Sequence, residues 1–128
     1  MHSVKGIGGV FFRAADQKEA NEWYQKNLGV PLTADGCAIF RWREHEDPLK
    51  EQATIWSTFP DNTEYFGNRN QQFMVNYIVE SLDALLAQLR DADVKIDDHR
   101  EESEFGKFAW VYDPAGNRIE LWEPPKKP

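Results

Sequence analysis

The sequence predicts an α+β fold in which one unit, a strand, a helix and then two or three strands, occurs twice. Short runs of alternating apolar and polar residues, bounded by Gly, Pro, Asn and Asp, mark the strands. Two other segments place apolar residues at helical spacing, and both halves carry the elements in the same order. Neither half can bury both faces of its own strands. The two are therefore expected to pair into one curved mixed sheet, with helices outside and a concave face left for a ligand. The chain is read as one domain over residues 1–128, with module one at about 5–60 and module two at about 71–124.

The elements follow in order. Ile7 to Arg13 (IGGVFFR) is an apolar, aromatic run after glycines and suits a strand. Asp16 reads as an N-cap with Glu19 three residues on, a capping box that satisfies free amides. Ala20, Trp23, Tyr24 and Leu28 form the stripe of the first helix, which Gly29 stops and Pro31 prevents from continuing. CAIFRWR (37–43) and QATIWSTF (52–59) read as strands, with loops at 44–50 and 60–70.

QFMVNYIV (72–79) alternates like a half-buried strand and opens the second module. Ser81 caps a helix with Leu82, Leu85, Leu86 and Leu89 on one side. A weak strand at 94–96 precedes the acidic run Asp97, Asp98, Glu101, Glu102 and Glu104, read as a solvated loop. KFAWVY (107–112) and RIELWE (118–123) are strands joined by DPAGN, a turn in which Pro sets one dihedral and Gly or Asn accepts a positive one. Pro124 and Pro125 end the last strand, and Lys126-Lys127 belong to a short tail.

Composition excludes several functions. The formal net charge is −7 and basic residues are scattered, so no nucleic-acid face is expected. No apolar run is long enough to span a bilayer, so no membrane role is expected. The start lacks the apolar stretch of a secretory signal, and the single Cys37 excludes an internal disulfide. A cytoplasmic location is therefore expected. The GIGG run lacks nucleotide-loop spacing and precedes a strand rather than opening a helix. No Ser-His-Asp or Cys-His pattern appears. The 5 Trp, 8 Phe and 4 Tyr are the outlying feature, a load that builds a core or walls a pocket for an apolar ligand.

Four stretches, IGGVFFRAAD, EANEWYQKNLGV, NYIVESLDALLAQL and above all DPAGNRIELWEP, resemble the glyoxalase/bleomycin-resistance/dioxygenase superfamily, also called vicinal oxygen chelate proteins, over nearly the whole chain. The resemblance implies two βαβββ modules forming a cup, often within a homodimer, and in many members a divalent metal in that cup. The superfamily holds lyases, isomerases, dioxygenases, thiol transferases and metal-free drug-sequestering proteins, so it implies the fold more narrowly than the function. Its metal positions correspond here to Gly9, Trp56, Met74 and Glu120, of which only Glu120 carries a hard donor. No metal and no cofactor are expected. His2, His45 and His99 lie in terminal or loop stretches, with His99, beside Asp97 and Asp98, the one alternative ligand.

Strand alternation then divides the aromatics between core and cup. The cup is expected to take Phe11, Trp56, Met74, Trp110 and Trp122 as walls and Arg13, Asn76, Arg118 and Glu120 as polar points. The leading expectation is a metal-free protein that binds or sequesters an apolar or aromatic small molecule through these residues. The alternative is a lyase, isomerase or dioxygenase-type enzyme with Glu120 as base or sole retained metal-ligand position. A partner-binding module is the third reading. Whether the chain is an enzyme stays open at this level.

Overall fold

The structure, a computed structural model, describes residues 1–126. The tail expectation at Lys126-Lys127 therefore lies in part outside the described residues. Among the described residues two helices and seven strands, the strands pairing both parallel and antiparallel, follow the order β1 (Val4–Ala14), α1 (Gln17–Leu28), β2 (Cys37–Arg43), β3 (Glu51–Pro60), β4 (Phe73–Val79), α2 (Leu82–Asp91), β5 (Ile96–Ser103), β6 (Gly106–Tyr112) and β7 (Arg118–Glu123). This is the α+β class with the repeated strand–helix–strand order. After α1 there are two strands plus an isolated bridge, Leu32 to Ala38, where the second repeat has three strands. The chain forms two compact units. One is Gly9–Met74; the other is Met1–Gly8 with the chain from Val75 onward.

In the Gly9–Met74 unit, β3 runs antiparallel to β2 and parallel to β1. Asp16 caps α1 by accepting the Glu19 amide at 3.0 Å, and Gly29 stops it at φ 68°. The expected helix stripe packs only thinly. No residue of α1 is buried, and Trp23 and Leu28 are 53% and 63% exposed. Tyr24 makes the main contact, edge-on to Phe12 and Trp56. On the other side of the sheet Phe11 packs on Phe59, which also meets Tyr65 and the fully buried Phe66. The burial of this unit thus lies largely on the face away from its helix.

The second unit is built the other way. Ser81 caps α2 through the Ala84 amide, and Leu82, Leu85 and Leu86 are buried against Val79, Ala109, Val111 and Leu121. Within it the strands run β4-β7-β6-β5. β4 and β7 are parallel, the other pairs antiparallel. The acidic run read as a loop is instead β5 from Asp97 to Glu102, and only Glu104 of that run lies in the turn after it. Its apolar pattern is missing because an edge strand pairs through its backbone and can carry charge, which also blocks further pairing. Its register shifts between Ile96 and Arg100, a bulge at Asp97–His99.

Candidate active site

The register of β7 sets the site. Pairing Trp110 with Glu120, Phe108 with Trp122 and Tyr112 with Arg118 puts these six side chains on one face, as antiparallel partners share a side. The intervening Ala109, Val111, Ile119 and Leu121 pack under α2, as the alternation predicted. β4 adds Asn76 beside Glu120 and Ile78 beside Trp122. Five of the nine predicted site residues, Asn76, Trp110, Arg118, Glu120 and Trp122, thus gather on one face of this unit.

Glu120 is the centre of that face and is 2% exposed. Asn76 Nδ2 donates to its Oε1 at 2.6 Å and Trp110 Nε1 donates to its Oε2 at 3.0 Å. Asn76 and Trp110 are buried as well, so both donors are held in place by packing. Gly8 makes room for them. A Cβ there would lie 2.3 Å from Asn76 Oδ1, 2.7 Å from Ile78 Cγ1 and 2.8 Å from Trp122 Cε3. Next to the carboxylate, the Phe108 and Trp122 rings are parallel within 4° at 6.0 Å, with the indole N–H tied to the Phe105 carbonyl at 2.8 Å.

The bulge in β5 brings a second group onto the same face. Arg118 Nη1 donates to Asp97 Oδ2 at 2.7 Å and to the Tyr112 hydroxyl at 2.6 Å, and that hydroxyl donates to Asp97 Oδ2 at 2.8 Å. The His99 amide donates to Asp97 Oδ1, and the His99 ring stacks on Trp110 at 5.2 Å and 17°. The amide of His99, the Tyr112 hydroxyl and Arg118 hold the Asp97 carboxyl down to about 2. Burial, then the hydrogen bond to Asp97, pushes the Tyr112 phenol upward. Asp97 and Tyr112 were not among the predicted site residues. The signal available was that Tyr112 shares parity with Trp110; the bulge that re-aims Asp97 has no signature in DDHREES.

The other four predicted residues lie in the Gly9–Met74 unit. Phe11 and Met74 are buried there. Trp56 does not join the face of Phe11. It meets Phe12 and Tyr24 on the α1 side, because parallel pairing sets it beside Val10 and leaves Ile55, Ser57 and Phe59 opposite. Arg13 is buried and its donors go to main-chain carbonyls. Nε reaches Gln71, Nη1 reaches Asp61 and Thr63, and Nη2 reaches Asn68, at 2.7 to 3.2 Å, with the guanidinium over Phe66. It acts as a clamp on segment 61–71.

The donor set does not fit a divalent ion held in the pattern that the resemblance implies. Gly9 has no side chain, Met74 offers a thioether, Trp56 faces α1, and both Glu120 oxygens already accept from neutral donors. Among the described residues no group of three or more His, Cys, Asp or Glu is placed to hold a metal. None of their helices is long and apolar enough to cross a membrane.

Comparison with known proteins agrees with the resemblance. The chain belongs to the Glyoxalase/Bleomycin resistance protein/Dioxygenase superfamily, whose profile matches residues 6–121. No curated protein matches it. Its fold is similar to a variant of Streptomyces coelicolor methylmalonyl-CoA epimerase in complex with 2-nitronate-propionyl-CoA, at 15% identity and TM-score 0.69, covering 97% of this chain and 100% of the other. Methylmalonyl-CoA epimerase from Mycobacterium tuberculosis is similar at 20% identity and TM-score 0.62, over 96% and 90% of the two chains. NAD-dependent benzaldehyde dehydrogenase from Legionella pneumophila is similar at 15% identity and TM-score 0.59, over 91% and 98%.

Proposed function

We propose that this member of the superfamily is a proton-transfer enzyme acting on a small carbonyl compound, with Glu120 as its acid–base group. The observation that carries the reading is a buried carboxylate whose two oxygens are each oriented by a packed neutral donor. General base catalysis needs a carboxylate fixed in direction and shielded from water, because both lower the reorganisation that proton transfer requires. In the step itself the C–H bond beside a substrate carbonyl breaks and its proton goes to a Glu120 oxygen. The electron pair moves into the carbonyl to give an enolate, and return of the proton to the opposite face of the same carbon, once the enolate has turned against Glu120, completes an epimerisation with no net oxidation. Asn76 and Trp110 hold the carboxylate during both transfers. The epimerases among the similar folds support an isomerase over the other chemistries of the superfamily.

Hydrogen exchange tests this directly. In D2O the protein is expected to wash deuterium into the carbon next to the carbonyl of methylmalonyl-CoA or of simpler 2-methyl acyl thioesters, followed by proton NMR. Glu120→Gln is expected to lower that exchange at least about a hundredfold, the usual size of a general-base contribution. Exchange that persists in Glu120→Gln would sink the assignment. A second reading, ligand binding without chemistry, is favoured by the parallel Phe108 and Trp122 rings beside the carboxylate. It expects no exchange, but saturable quenching of tryptophan fluorescence by flat aromatic compounds.

A further inference from the structure

Trp110 connects Glu120 to a cation. Its indole N–H bonds Oε2 of Glu120, and the guanidinium carbon of Arg118 lies 5.1 Å from its ring centroid. The indole does not hold Arg118 by itself. Asp97 and the Tyr112 hydroxyl fix Nη1, and the Tyr112 ring lies 5.8 Å from the guanidinium carbon. Trp110 is 1% exposed, so little solvent screens the contact. A cation over an indole face is attracted by its π electrons and polarises them toward itself, which leaves the N–H hydrogen more positive.

We propose that Arg118 is a positioning residue for Glu120: its guanidinium, set over Trp110 by Asp97 and Tyr112, strengthens the indole N–H that holds Oε2 and so keeps the carboxylate fixed in direction. The purpose of this relay rests on reading Glu120 as the working acid–base group, while the coupling itself is a property of the folded protein that can be measured without substrate. Around Glu120, β4 contributes the neutral Asn76 and β6 contributes Trp110 and Tyr112. β5 contributes Asp97, His99 stacked on Trp110, and Glu101 bonded to His99 at 3.0 Å. On β7 itself, Arg118 carries a permanent positive charge and lies over the ring that contacts the carboxylate.

The experiment follows Glu120 by carbon-13 NMR of its side-chain carboxyl across pH, with the Trp110 indole N–H shift recorded in parallel. Arg118→Met is expected to move the Glu120 midpoint upward, because a cation that favours the ionised carboxylate is lost, and to shift the indole proton upfield. Asp97→Asn/Arg118→Met, which removes the stranded aspartate charge as well, is expected to keep most of that displacement. In a Trp110→Phe background, Arg118→Met is expected to leave the midpoint unchanged. Equal displacement with and without the indole would overturn the relay in favour of a direct field, and no displacement in any background would overturn it outright. Should Arg118→Met fail to fold, Arg118→Gln with the same two readouts decides the matter. Absence of hydrogen exchange in the unaltered protein would defeat the catalytic reading of Glu120 and leave the measured coupling standing.

Discussion

Replacing Gly8 by alanine sets two opposed effects against each other. Alanine is favoured over glycine within a strand by about 0.5–1 kcal/mol, because glycine loses more backbone freedom on folding. Against that gain stand contacts of 2.3, 2.7 and 2.8 Å from the new Cβ to Asn76, Ile78 and Trp122. Asn76 and Ile78 are 2% and 1% exposed, so neither has solvent to retreat into. Overpacking of this kind costs about 1–3 kcal/mol, and pulling Asn76 from Glu120 weakens a bond to a charged group with a typical contribution of about 1.5–3 kcal/mol. The clash wins, with a net loss of about 2 kcal/mol, which for a domain of this size lowers Tm by about 5–10 °C. Calorimetry and urea unfolding measure it. Gly116→Ala supplies the contrast: φ is 86° but nothing lies within 4 Å, so the loss there is backbone strain of about 1–2 kcal/mol with Glu120 undisturbed. An unchanged or higher Tm in Gly8→Ala would refute the packing assigned to the Glu120 face.

Two further outcomes follow from polar groups. Asp97 titrates at about 2 in the folded chain against an ordinary value of 3.8, so its stabilisation is complete above about pH 4 and disappears as pH falls toward 2. With its side chain 25% exposed, this amounts to about 1–2 kcal/mol after solvent screening. Asp97→Asn should therefore flatten the acid limb of urea midpoints between pH 4 and 2, and an identical limb would refute the ion triad. Arg13→Lys keeps the charge but loses the planar fork that serves four carbonyls, with an expected cost of about 2–4 kcal/mol and faster proteolysis within 61–71. Wild-type stability and wild-type cleavage would show that the clamp contributes nothing.

Local rules were readable where one stretch of chain contains both partners. Asp16 and Ser81 cap their helices through amides three residues on, and Gly29 adopts the left-handed stop. In DPAGN, Asp113 accepts the Asn117 amide at 2.9 Å while Gly116 takes a positive φ. The two-residue period of RIELWE was enough to separate Leu121 from Glu120. The same argument failed for Trp56, because TIWST is as apolar on one side as on the other. Its facing was decided by pairing with β1, 46 residues earlier along the chain in the Val10 register. It failed again for β5, whose strand character resides in backbone bonds to β6 that no side chain announces.

Pattern, then, sufficed for the class of fold, the order of its elements and the side of its own strand on which each of Asn76, Trp110, Arg118 and Glu120 lies, since each depends on period and parity along a single strand. Partnership did not follow from pattern. That Arg13 would bind carbonyls up to 58 residues away, or that Asp97 would hold Arg118 over an indole, became determinate only when the folded chain brought distant donors and acceptors within 3 Å. A hydrogen bond is decided by distance and angle, and one-dimensional spacing contains neither once the partners lie on different strands.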